Sequence, residues 1–509
     1  MSDSNQELFT SKKNIMKAIY QLIVPAAMLF TMGCMKNLDR DPIGLLTPQQ
    51  VNTDPQVGTV TGAVNSSYQM LSSTLNLLGN WDWPRGLVLR NDFIIEDIAS
   101  GDMQKKWNPD GDQAWMDQFS SWSFTADNGG FNGQWSYNYE GISRCNMAIS
   151  YLTDDALMSK LSIDNASRNY QLGQAYFLRA FYYFDLANAF GDVPLLLKPL
   201  KNFSEAYEVS KRTSKEEVYN QVNSDLAAAK GLIPTGKYSN ATDKWRISQG
   251  AVLAMQAKVA LFNQKWNDVI TIITELEGLG YYSLNSNYFD NFSIAKEYAD
   301  NEVIFAYNHV PEQTPRNGNG ICALAGWGFI APTTNFINEF EANDPRLLYT
   351  VDAAAQNVYK IFGEIGTANK GNEDAASNKV YIRWADVLLW KAEAYNETNG
   401  YANAVTYINK IRARARQTPT ITGGSVPAGS IADRPASSNK DEIKNWLVHE
   451  RRVELGFESH RFNDLKRWGL AKAFLTGLGK SFQDKHYLYP IPQGEIDKSG
   501  GSITQNSGY

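Results

Sequence analysis

Between Gly173 and Leu196 the chain reads GQAYFLRAFYYFDLANAFGDVPLL, and Ala175, Leu178, Tyr182, Leu186 and Ala189 recur at three- and four-residue steps. That is the spacing of one face of an α-helix. Arg179 and Asp185 interrupt the apolar run, so the segment predicts a buried helix and not a membrane span. Gly191 stands where a helix C-cap wants a left-handed residue, and Pro194 stops any continuation. The same periodicity predicts a helix over 57–78, with Val57, Val60, Val64, Tyr68 and Leu71 on its apolar side. It predicts another over Trp135–Leu152 and a third over Ser214–Pro234, where Ser214 is the N-cap and Glu216 and Glu217 fill the first turn.

Arg246–Leu276 reads as two helices around a short Asn-Gln-Lys turn, and Tyr381–Ala415 reads as a comparable pair. There Ala392, Tyr395 and Ala404 fall at the spacings of a tetratricopeptide unit, whose small residues let paired helices approach. Residues 77–134 and 279–378 break into Gly-, Asn- and Trp-rich loops, too long for plain connectors. Residues 417–439 are rich in Pro, Ser, Gly and Thr and read as a surface loop. The fold class expected is mainly α: degenerate tetratricopeptide-type helix pairs plus an irregular, loop-rich portion.

At 509 residues, 43% hydrophobic and 20% charged, the chain has a globular profile. Its net charge of -6 without a basic tract excludes nucleic acid as an expected partner. Four His leave little for a histidine-based centre, whereas 13 Trp, 26 Tyr and 23 Phe leave rings to spare beyond the core. Of the three cysteines, Cys145 lies in an apolar helical pattern and Cys322 in a Gly-rich loop; whether they pair stays open. Cys34 closes a leader. Residues 1–33, with a start at Met16 also open, carry Lys17, an apolar core from Ile19 to Met32 and Gly33 before Cys34, the arrangement of a lipoprotein signal peptide. Thr31 and Met32 depart from the usual residues of that cleavage site. The apolar core is shorter than the roughly 20 residues of a membrane span, so a lipid anchor on Cys34 is expected, with residues 34–56 as anchor and tether.

Glu450, Glu454 and Glu458 recur at four-residue steps, and paired carboxylates are what glycoside hydrolysis uses. Arg451, Arg452 and Arg461 are interleaved with them, which favours ion pairs and low carboxylate pKa values. A buried salt-bridge network is therefore expected, and no catalytic residue. Asp110, Asp112 and Asp117 near Gly111 faintly resemble a calcium loop but lack the closing Glu. No metal site is predicted.

Several blocks carry a resemblance. Phe177-Leu178-Arg179-Ala180 through Tyr182-Tyr183-Phe184-Asp185-Leu186, followed by Phe190-Gly191-Asp192-Val193-Pro194, is similar to the signature helix of the SusD/RagB family. Trp135 to Asn146, Asp344-Pro345-Arg346, Glu450-Arg451-Arg452 through Trp468, and Tyr489-Pro490-Ile491-Pro492 with Gln505 to Tyr509 resemble further family blocks in the same order. Ser459 stands where the family usually has Gly, and Ser507 where it has Pro. The resemblance implies a SusD-like domain over 57–509, with an N-terminal part about 57–235 and a C-terminal part about 246–509. It implies an outer-membrane, surface-exposed lipoprotein that binds an oligosaccharide and delivers it, uncut, to a SusC-like TonB-dependent transporter. RagB-type peptide uptake is the alternative cargo, and a glycoside hydrolase a lesser one. No cofactor is expected, although the resemblance admits Ca²⁺ without locating it.

A sugar site needs an aromatic face for the C–H side of the ring and polar groups for its hydroxyls. Two loops offer this: one contains Trp81, Trp83, Trp107, Asn108 and Trp115, and the other Arg316, Asn317 and Trp327. Trp107 and Trp327, with amide-bearing or Gly-rich neighbours, are the favoured platforms. Trp135, Trp390 and Trp468 sit within helical blocks and read as structure.

Overall fold

In the computed structural model, which describes residues 56–107, 110–200 and 203–509, the predicted periodicities become helices with small changes at their ends. The leader, Cys34 and Asn108 lie outside the described residues. Helix α1 covers Val57–Gln69 and buries Val60, Val64 and Tyr68. A π-helical turn, Phe93–Ile98, is buried along its length, and strand β1 (Met103–Gln104) leads to helix α2 (Ala114–Ser121). Residues 77–134, expected as loops, thus hold short elements. Helices α3 (Gly129–Leu152), α4 (Asn165–Phe190) and α5 (Lys215–Leu232) follow. Next come the pair α6 (Gln249–Phe262) and α7 (Trp266–Gly278), strand β2 (Val303–Tyr307), helix α8 (Ile321–Gly326) and strand β3 (Ala331–Pro332). Strand β4 (Lys379–Arg383), the pair α9 (Trp384–Glu397) and α10 (Tyr401–Gln417), and helices α11 (Lys440–Leu455) and α12 (Arg461–Arg467) complete the elements used below. Val60–Tyr509 forms one compact unit.

Helix α4 is the central member, packed on α3 along one side and α5 along the other. Asp164 caps its start by accepting from the Ser167 amide, and Gly191, at φ +76°, ends it. The two charges that interrupt its apolar face both find buried partners. Arg179 grips Asp225 of α5 with two bonds of 2.8 Å, and Asp185 accepts from Asn138 of α3 at 2.8 Å. Contact with α3 is tight at Gly141, where a Cβ would lie 2.4 Å from the Tyr182 ring. The pairs α6–α7 and α9–α10 stack through α7 and α9, and α9 also packs on α11. Ala392 and Ala404 are fully buried where α9 and α10 meet, as the repeat spacing predicts.

Some boundaries differ: the helix expected over 57–78 ends at Gln69, so Leu71 lies beyond it, and the one expected from Trp135 begins at Gly129. The helix expected from Tyr381 begins at Trp384, because Lys379–Arg383 pairs antiparallel with β2. The stretch KVYIR alternates β-branched and aromatic residues, which suits a pleated surface better than a helix. Cys145 and Cys322 are each buried and unpaired.

Candidate functional site

Two short strands and one loop build the site. Met103 and Gln104 of β1 pair antiparallel with Pro332 and Ala331 of β3, and the Lys106 amide extends the ladder by donating to the Gly328 carbonyl at 2.8 Å. This lays Trp107 across Gly328. Gly328 has φ +86°, and a Cβ there would lie 2.3 Å from Trp107 Cζ3, so only glycine leaves room for the ring. Trp327, at the C-terminus of α8, is the residue before it, and its own amide donates to Ala323 O at 2.8 Å.

The third contribution comes from the loop after α1. Asn76 closes it at both levels: its amide donates to Val88 O at 2.6 Å, and its side-chain oxygen accepts from the Trp81 amide at 2.8 Å. Trp81 then takes a left-handed conformation, φ +54°. Its ring lies 6.0 Å from Trp327, and Trp83 meets Trp327 edge-on at 6.2 Å and Phe329 at 5.4 Å. Trp81 and Trp107 remain 43% and 56% exposed while Trp83 and Trp327 are half-buried beneath. Trp81 rests against Trp327 and Trp107 against Gly328, with the Lys106 ammonium 5.6 Å from the Trp107 centroid and donating to Ala355 O.

Other predicted site residues are engaged elsewhere. Trp115, on α2, turns its indole N–H onto Gln113 at 3.0 Å. Exposed Arg316 pairs with Glu373 at 2.9 Å. Asn317 accepts from the Tyr307 hydroxyl at 2.6 Å and donates to Asn308 O at 3.2 Å, which spends its amide on closing a turn. Gly328, Lys106 and Phe329 were not singled out; the Gly-rich run beside Trp327 was the only signal for them.

The acidic residues near Gly111 surround an ammonium. Lys105 reaches Asp110 Oδ1 at 2.6 Å, Asp117 Oδ2 at 2.9 Å and the Asp112 carbonyl. Its hydrogen bond holds the Asp110 carboxyl below the ordinary range, whereas burial pushes Asp117 up. This donor set does not fit calcium, because Lys105 already fills its centre.

Glu450, Glu454 and Glu458 form the expected network, but with other partners. Arg346 bridges Asp344, Glu450 and Glu454 at 2.7, 2.6 and 2.9 Å, and Arg383 bridges Glu302, Glu454 and Glu458 at 2.8, 2.7 and 2.7 Å. Arg412 and Arg414 add to it. The interleaved arginines point away: Arg451 pairs with Asp386 and Asp464, Arg452 with Asp102 and Glu339, and Arg461 offers one long bond to Val448 O. Neighbours one residue apart on a helix face different sides, so a shared stretch does not make a shared pair. Burial alone would raise Glu458, yet Arg383 and Lys360 hold it at about 2. Glu96 and Asp97 go the other way: burial raises both, Asp97 to about 8. Glu96 lines an internal cavity of about 60 Å³ together with Asp185, Lys258, Asp386 and His460. That is room for a few waters.

Two family models match in order: one described as the SusD family over residues 357–484, and one described as "Starch-binding associating with outer membrane" over 95–261. The chain is 26% identical to SusD-like protein P2 of Formosa agariphila, across 96% of this chain and 99% of that protein. It is 23% identical to a SusD-like protein of Bacteroides ovatus, across 89% and 83%. Among solved structures, surface glycan-binding protein A from Bacteroides fluxus superposes with a TM-score of 0.72 at 23% identity, covering 89% of this chain and 100% of that one. The same-named protein from Bacteroides thetaiotaomicron, solved with laminarihexaose, gives 0.68 at 20% identity, covering 88% and 99%. At these identities the structural likeness concerns the fold.

Proposed function

The chain belongs to the SusD/RagB family, and from that premise we propose that it captures an oligosaccharide on the tryptophan platform and passes it on uncut. The carrying observation is that Trp81 and Trp83 meet the Trp327 ring from a loop about 250 residues away, that Trp107 lies on Gly328 beside Trp327, and that Trp81 and Trp107 stay exposed. Open, rigidly backed rings match the C–H faces of sugars, and their cost in ordering on binding is small. The fold is shared with a protein solved in complex with laminarihexaose and with one named as laminarin-binding, which supports a saccharide as cargo.

Capture without cleavage is favoured by where the carboxylates lie. Glu96 and Asp97, whose pKa values burial raises, are packed in the interior around spaces of about 60 Å³, Asp117 is bound to the Lys105 ammonium, and Glu454 and Glu458 are held ionised by arginine. A hydrolase needs one carboxyl raised and one ionised on either side of a bond it can reach. In the reading we favour, Cys34 carries the lipid anchor at the outer-membrane surface, residues 34–56 form the tether, and a SusC-like TonB-dependent transporter receives the cargo.

Calorimetry of the protein from residue 35 onward, against polysaccharides including laminarin and against peptide mixtures, tests this reading. A saccharide that binds, stays intact and is lost in Trp107→Ala is the expected result. Binding of peptides alone would overturn it in favour of the peptide cargo.

A further inference from the structure

Lys105 stands where a bound cation would. Its side chain is 1% exposed, and its ammonium has three donors, which meet three oxygens supplied by Asp110, Asp112 and Asp117. The Asp112 amide donates back to Asp110 Oδ1 at 3.1 Å, so the carboxylate that holds the ammonium also shapes the turn. Asp117 Oδ1 is buried without a partner, which leaves this carboxylate dependent on the ammonium at its other oxygen. Two carboxylates and a carbonyl converging on one point are the hard-oxygen set a calcium loop offers. Here the charge at the centre is covalently part of the chain.

We propose that Lys105 is a tethered cation that closes this acidic loop in place of a metal, and that the closure holds Trp107 against Gly328. Trp107 lies between the ammonium-bearing residue and the first carboxylate, so its backbone is pinned on both sides. On one side is the β1–β3 ladder with the Lys106–Gly328 bond, and on the other the Asp110 and Asp117 contacts. Removing the ammonium would leave two carboxylates facing each other with no counter-charge and release the second pin. Lys105 is therefore a positioning residue: it presents the ring and does not touch what the ring binds. That the ring serves a saccharide rests on the reading above; the closure itself is read without any ligand.

Amide hydrogen exchange of the purified protein tests this, comparing it with Lys105→Ala and with Lys105→Met, which keeps the buried stem and removes the charge. The expected result is at least tenfold faster exchange at Asp112 and at Lys106 in both variants, with the helices unchanged. In Lys105→Ala, n-propylammonium replaces the missing end of the side chain and slows exchange again, whereas n-propanol does not. Unchanged exchange, equal recovery with propanol, or loss of the whole fold in both variants would overturn the proposal. Faster exchange at Asp112 but not at Lys106 would overturn the link to Trp107. A silent glycan panel alongside the expected exchange would sink the saccharide reading and leave the tethered cation standing.

Discussion

Ser459, held at φ +60°, donates its hydroxyl to the buried Asp97 carboxyl over 3.0 Å. A glycine would take that backbone conformation without strain but would leave Asp97 short of a donor. Net hydrogen bonds of this kind contribute about 0.5–1.5 kcal/mol, and left-handed strain in a non-glycine costs about 1–2 kcal/mol. Ser459→Gly is therefore expected to change stability little, and Ser459→Ala, which keeps the strain and loses the bond, to lower it by about 1 kcal/mol. Chemical denaturation of the two variants separates them.

Asp97 also sets a pH dependence. Burial raises its folded pKa to about 8, above the roughly 3.9 of an unfolded aspartate. The folded state thus holds a proton that the unfolded state releases, and its contribution is full below pH ~4 and is lost as the pH rises through about 8. Asp97→Asn is expected to flatten the fall of the melting temperature between pH 5 and 8.

The arginine–glutamate network acts at the opposite end of the scale. Glu458, depressed to about 2, contributes stability above pH ~4.5 that disappears as the pH falls toward 2. Glu454→Ala removes a carboxylate partner from Arg346, Arg383 and Arg414 at once. Breaking a buried pair from one side costs about 3–5 kcal/mol, so urea denaturation of this variant is expected to show at least that loss.

Much of this body was legible in the chain, and the reason is physical. Helices α5, α7 and α10 each bury one stripe, which leaves a period in the sequence, whereas α4, α6 and α9 are buried nearly all round and read as long apolar runs. The partners of the charges leave none. Arg346 and Glu450 are 104 residues apart, and nothing local distinguishes Arg383, which carries the network, from Arg461, which does not. The platform was half legible: Trp107 and Trp327 stood out as residues, but the two-rung β1–β3 ladder that brings them together is too short to have a periodicity. At the acidic loop the sequence predicted no metal site, but it gave no sign that Lys105 would occupy the centre of the carboxylates.

At the platform, Gly328→Ala is expected to match Trp107→Ala. The added methyl takes the space under the ring, so both variants should weaken saccharide binding about tenfold or more, or ~1.4 kcal/mol. In the Trp107→Ala background, Gly328→Ala should add nothing further to the loss. Calorimetric titration of the single and double variants reads this coupling.

Gly141→Ala tests the tight contact of α3 with α4. Its Cβ would fall 2.4 Å from Tyr182, inside any real contact, and overpacking of this kind costs about 1–3 kcal/mol. Thermal unfolding should report the loss while saccharide affinity stays as it was.

The ladder of β1 and β3 has two rungs, and side chains along a strand alternate between faces. One residue inserted or removed between Gln104 and Trp107 would swing the indole to the far side, and it would shift or delete Lys105 or Lys106 in the same step, so the ring and the buried ammonium change register together. The exposed ring and the buried ammonium are thus tied to the same two rungs, and a single change of register there rewrites both ends of the loop at once.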